Sequence, residues 1–64
     1  MKTLYYYITE LDDGRWELVD DLLIPSYHDT KDAAVAKARS ASSMKKHYGF
    51  DTCILVYKKA KEDA

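Results

Sequence analysis

The chain is poor in the residues that staple or interrupt a fold: one cysteine, one proline and two glycines in 64 residues. With Cys53 alone, neither an intramolecular disulfide nor a cysteine-based zinc framework can form. A small domain without such staples is expected in a reducing cytoplasm. No apolar run approaches the roughly 20 residues of a membrane span. Met1-Lys2-Thr3 leads straight into a tyrosine-rich run, and Glu10 arrives before a hydrophobic region reaches useful length, so no signal peptide is read. Glycine-rich phosphate loops, internal repeats and low-complexity tracts are all missing.

What remains is an ordinary globular composition, 47% apolar and 33% charged. The length implies a single small domain over residues 1–64 of modest stability, with 59–64 expected to fray. Net charge is −1 but unevenly spread. Residues 1–30 carry two basic and seven acidic side chains, and residues 31–64 carry eight and four, so the halves are −5 and +4. Such asymmetry steers charged partners where it is more than solvated surface.

Leu4-Tyr5-Tyr6-Tyr7-Ile8 is the organising stretch. As part of a strand over Thr3–Leu11 it puts Leu4, Tyr6 and Ile8 on one face and Tyr5, Tyr7, Thr9 and Leu11 on the other. Asp12-Asp13-Gly14 is a hairpin turn, since aspartate favours turns and glycine tolerates positive φ. Arg15–Val19 is the second strand, with a bulge or bend expected at Asp20-Asp21. Leu22-Leu23-Ile24 resumes that strand or begins its exit, and Pro25–Asp29 is a loop, because proline removes a ladder donor. Asp29 or Thr30 caps a helix from about Thr30 to Tyr48, rich in alanine. Its apolar stripe is Ala34, Ala38 and Ala41 with Val35 and Tyr48, and Gly49 closes it. Phe50–Tyr57 is the last strand.

The expected fold is therefore α+β: a single ββαβ domain with a three-stranded antiparallel sheet in the order 2-1-3 and one helix packed on one face. The helix is expected to cover Leu4, Tyr6, Ile8, Trp16, Leu18, Ile54 and Val56. Tyr5, Tyr7, Leu55 and Tyr57 are left on the opposite face, with Cys53 nearby.

Asp13-Gly14-Arg15-Trp16-Glu17-Leu18, followed by Thr30-Lys31-Asp32-Ala33-Ala34-Val35-Ala36-Lys37-Ala38, resembles the pattern of HicB-like domains. These are small cytoplasmic antitoxin-type modules with a hairpin followed by a helix. The order also resembles a group of short bacterial ββαβ proteins whose last strand follows a glycine, as Gly49-Phe50 does here. The resemblance implies an architecture and a cytoplasmic setting, and no functional residue carries over from it.

The candidate sites divide by chemistry. A nucleophile needs a base in reach and a group to orient that base. Cys53 lies mid-strand among apolar neighbours, where a thiol is an inert small hydrophobe. His28 and His47 are separated by the whole helix. His28-Asp29 and Asp20-Asp21 have no recognised ligand spacing and read as solvated loop. No enzyme, cofactor, metal site or small-molecule substrate is therefore expected. Tyrosine offers large contact area and a polar handle, which suits protein interfaces. The expected role is a small non-enzymatic protein-binding module: an adaptor, regulator or inhibitor. Its contact residues are Tyr5, Tyr7, Leu55 and Tyr57, and a second copy of the chain (a homodimer) is among the candidate partners. The alternative is single-stranded nucleic acid stacked on the same rings, with Arg39, Lys46, Lys58, Lys59 and Lys61 as the basic patch. The acidic hairpin weighs against that alternative.

Overall fold

The computed structural model describes residues 2–20 and 22–59. Five elements follow one another: β1 (Thr3–Glu10), β2 (Trp16–Val19), β3 (Pro25–His28), α1 (Lys31–His47) and β4 (Asp51–Tyr57). The sheet has four strands in the order β3-β2-β1-β4. β1 pairs antiparallel with β2, β2 antiparallel with β3, and β1 parallel with β4. The helix lies over one face.

The α+β class with one helix over one face is present, but the three-stranded antiparallel sheet is corrected to a four-stranded mixed one. The cause is Pro25. Expected to open a loop, it occupies the first position of an edge strand, where its missing donor costs no ladder bond. One added strand changes the direction of everything after it. β3 runs parallel to β1, the helix returns across the face, and β4 therefore starts at the same end as β1. The last strand is accordingly parallel to the first, against the antiparallel pairing expected, although β1 is central as its doubly apolar sequence requires.

Local chemistry explains the turns. Gly14 N–H donates to the Leu11 carbonyl at 3.1 Å and Leu11 N–H to the Arg15 carbonyl at 2.8 Å. Gly14 has φ +88, which closes this three-residue loop in the left-handed region. Asp13 braces the turn: its Oδ1 accepts from Arg15 N–H at 3.0 Å and its Oδ2 from Arg15 Nε at 2.7 Å. Those two bonds, backbone first, hold the Asp13 carboxyl below its ordinary 3.8. The β2–β3 turn uses the other acidic residue. Asp20 Oδ1 accepts from Leu22 N–H at 2.9 Å and Ile24 N–H at 3.3 Å, while its carbonyl accepts from Leu23 N–H at 3.0 Å. That replaces the expected bulge at Asp20; Asp21 lies outside the described residues.

Thr30 is the N-cap, its hydroxyl accepting from Ala33 N–H at 3.1 Å. The helix ends at His47 with Lys45 and Lys46 in its last turn, where positive charge suits the dipole. Gly49 N–H bonds the Lys46 carbonyl and Phe50 N–H the Lys45 carbonyl, with Gly49 at φ +94. This is the reciprocal C-terminal closure that glycine permits.

The core is Leu4, Tyr6 and Ile8 from β1, Trp16 and Leu18 from β2, and Ala34 and Ala38 from α1. Tyr6, Ile8, Ala34 and Ala38 are fully buried. Small residues on the inner stripe let the helix sit close to the sheet. That stripe differs from the expected one at two positions. Ser42 is buried and hydrogen-bonds the Thr52 hydroxyl of β4, so a polar group enters the core with a partner. Tyr48 is exposed, because it caps the helix and packs edge-on to His47 at 5.7 Å. Ile54 is half-buried against the core and Val56 is 39% exposed. Of the tail expected to fray, Lys59 N–H donates to Glu10 Oε1 at 2.9 Å, and its ammonium lies 3.4 Å from Asp12; residues 60–64 lie outside the described residues.

Candidate functional site: the open sheet face

The strand period puts Tyr5 and Tyr7 on the face of β1 that the helix leaves uncovered. They are 45% and 37% exposed. Their rings are 6.3 Å apart at 25°, and Tyr57 of β4 follows 6.4 Å from Tyr7 at 20°. The parallel register sets this ladder. Tyr7 stands opposite Leu55 and Thr9 opposite Tyr57, so Tyr57 is diagonal to Tyr7 and within aromatic reach. Leu55, opposite Tyr7, is half-buried, and Cys53, opposite Tyr5, is a half-buried free thiol. The four candidate contact residues thus share one face.

The structure adds a second component. Leu22, Leu23 and Ile24 are exposed, Leu23 to 75%. Leu23 has φ +60, the one described residue other than glycine in the left-handed region. For a branched side chain that conformation costs about 1–2 kcal/mol. A groove of about 330 Å³ lies between this turn and the ladder, lined by Tyr5, Tyr7, Leu22 and Leu23 together with Lys2 and Asp20. An aspartate two residues before two leucines was the available signal, but a leucine pair reads as strand, and nothing in it announces a left-handed turn.

Across the face, Tyr27 of β3 lies under the Arg15 guanidinium, 5.3 Å from carbon to ring centre. Arg15 also pairs with Asp13 at 2.7 Å across a half-exposed contact. Glu17 pairs in register with both Tyr27 and Thr9, which places a carboxylate beside the rings.

The other candidates stay scattered. His28 Nε2 and Ser26 Oγ are 3.0 Å apart on β3, but no described carboxylate bonds that ring to orient it. His47 lies at the far end of the helix. Among the described residues no cluster of three or more histidine, cysteine or acidic side chains could hold a metal ion, and no helix is long and apolar enough to cross a membrane. No family model, curated protein or solved structure matches the chain.

Proposed function

We propose that the chain is a small non-enzymatic docking module, an adaptor, regulator or inhibitor, that uses its open sheet face to bind an apolar protein surface. The observation that carries this reading is the pairing of an exposed tyrosine ladder with a strained, exposed leucine turn across one groove. The left-handed conformation of Leu23 closes the β2–β3 turn through its N–H bond to the Asp20 carbonyl, and it leaves the leucine side chain 75% exposed beside the tyrosine ladder. Tyrosine rings and leucines around a concavity give a partner's apolar side chain large contact area, while Lys2 and Asp20 in the groove fix its orientation. The lone thiol suits a cytoplasmic setting.

Bases also stack on tyrosine, but this face sets Glu17 and Asp20 around the rings, and Arg15 pairs with Asp13. Lys2 in the groove is set against Asp20 and Glu17, which makes a poor footprint for phosphate.

The test is affinity capture from the native host by the wild type, by Tyr5→Ser/Tyr7→Ser and by Leu22→Ser/Leu23→Ser, each verified as folded by circular dichroism. The expected result is a protein retained by the wild type and lost by both variants. Identical captured sets for all three would remove the face from consideration. A titration with single-stranded oligonucleotides at low salt is expected to be flat; saturable, salt-sensitive binding would replace the protein partner by nucleic acid.

A further inference from the structure

The two edges of the sheet are built differently. β3 has four residues and opens on Pro25, which blunts it against pairing. β4 is longer, and Thr52-Cys53-Ile54-Leu55-Val56-Tyr57 contains no charge, proline or glycine. No described strand pairs with its far side. An unprotected apolar strand at an edge is a template for another strand.

The register says which backbone groups are on offer. Asp51 N–H donates to the Lys2 carbonyl of the β1 side at 3.3 Å. Backbone groups alternate sides along a strand. Asp51, Cys53, Leu55 and Tyr57 therefore serve the ladder with β1, and Thr52, Ile54 and Val56 turn their N–H and C=O groups outward. Beside this edge a groove of about 390 Å³ separates β4 from α1. Ile54 and Val56 line one wall; Asp32, Val35 and Arg39 line the other.

We infer that β4 pairs antiparallel with β4 of a second copy, about a two-fold axis perpendicular to the sheet at Leu55. This rests on the edge and not on the tyrosine face. In this register Ile54 of one copy faces Val56 of the other as a hydrogen-bonded pair, each such pair exchanging two backbone bonds. Leu55 meets its counterpart and Cys53 faces Tyr57. Asp51 faces Lys59, whose contact with Asp12 is exposed and readily exchanged. The same rotation makes the helix stripe self-complementary. Asp32 at one end comes toward Arg39 of the second copy, and Val35 in the middle toward Val35. Lys31, beside Asp32, also lines the groove and is exposed, so its charge is solvated. A twin is the favoured occupant because one rotation matches acid to base both on the strand and on the helix.

The experiment follows amide exchange by NMR and mass by sedimentation, at about 10 μM and about 1 mM wild-type protein. Protection of the Ile54 and Val56 amides should rise with concentration as the mass moves to twice the 7.4 kDa of the chain. Val56→Pro removes an outward donor and spares the β1 ladder, so it should be monomeric at both concentrations with unchanged circular dichroism. Tyr57→Cys should form a disulfide dimer through Cys53 of the second copy, since non-hydrogen-bonded pairs have the required closeness. Should Val56→Pro fail to fold, the wild-type exchange pattern decides. A monomer at about 1 mM overturns the inference, as does a dimer whose Ile54 and Val56 amides stay unprotected. A dimer that survives Val56→Pro but is dispersed by Tyr5→Ser/Tyr7→Ser also overturns it, placing self-association on the tyrosine face.

Discussion

Three consecutive tyrosines provide a controlled experiment on the fold, because they share a residue type and a strand and differ only in the face they occupy. Alanine substituted in turn at Tyr5, Tyr6 and Tyr7 should give a low–high–low profile of lost stability. Tyr6 is fully buried, so its removal loses the transfer energy of a large ring and leaves a cavity, together about 3–5 kcal/mol. Tyr5 and Tyr7 are roughly half covered and leave no cavity, because water fills the space. Only part of the transfer energy is lost, with one ring contact at Tyr5 and two at Tyr7, about 1–2 kcal/mol each. A domain of 64 residues has about 3–10 kcal/mol in total. Tyr6→Ala should therefore be unfolded or nearly so, while its two neighbours still show a cooperative urea transition. Trp16 is the single tryptophan and is buried, so its fluorescence reports the transition without a label. A flat profile, or a Tyr5→Ala loss as large as that of Tyr6→Ala, would refute a sheet covered on one side only.

Other substitutions probe the helix seat and the two turns. Ala38→Leu forces extra methylenes into a fully buried position of α1 against the sheet and should cost about 1–3 kcal/mol in urea unfolding, whereas Ala36→Leu on the exposed side should be nearly neutral. Leu23→Gly relieves the left-handed conformation and should raise stability by about 0.5–1 kcal/mol after the added unfolded-state entropy, while weakening partner capture; a drop in urea midpoint would refute the strain. Asp13→Asn should lower the melting temperature. Because folding lowers the Asp13 pKa, its contribution is fully present above the ordinary 3.8 and is lost as pH falls through the lower folded value. The gap between wild type and variant should therefore narrow toward about pH 2, and a gap of constant size would show that the carboxylate is not the cause.

Much of this architecture was legible because it is written in local chemistry. Asp-Asp-Gly announced the hairpin, the alternation in β1 separated Tyr6 from its neighbours, Asp29 and Thr30 bracketed the helix start and Gly49 marked its end. The illegible part lay between Asp20 and Asp29. Pro-Ser-Tyr-His has no β-branched residue and begins with the residue least suited to a sheet, so β3 is a strand by position and not by propensity. Leu22-Leu23-Ile24 failed in the opposite sense: its propensity is strand-like, yet Asp20 accepts its N–H groups and holds it in a turn. Ser42 and Tyr48 depart from the expected stripe because a polar side chain can be buried with a partner and an aromatic one can stay in water. The buried serine has a threonine hydroxyl as partner, and the tyrosine stands one position past the last helical turn. The candidate ladder survived the missing strand because both β1 and β4 keep their alternation whichever way β4 runs.

Direction does matter for the edge, however. Parallel pairing with β1 assigns the odd-numbered backbone groups of β4 inward and leaves Thr52, Ile54 and Val56 facing out. Their side chains lie on the helix side, whereas the ladder lies on the other. The outward backbone groups of the edge are therefore distinct from the Tyr5–Tyr7 rings, and Leu55 and Tyr57 border both. In the inferred dimer, the two-fold axis perpendicular to the sheet would put both tyrosine faces on the same side and join them through Leu55 and Tyr57 into one surface. Two weak docking faces on a rigid base act at high effective concentration toward a partner that presents its own site twice. Val56→Pro would then leave each face intact and lower capture of such a partner without lowering the stability of the chain. That separates a paired surface from two faces working alone.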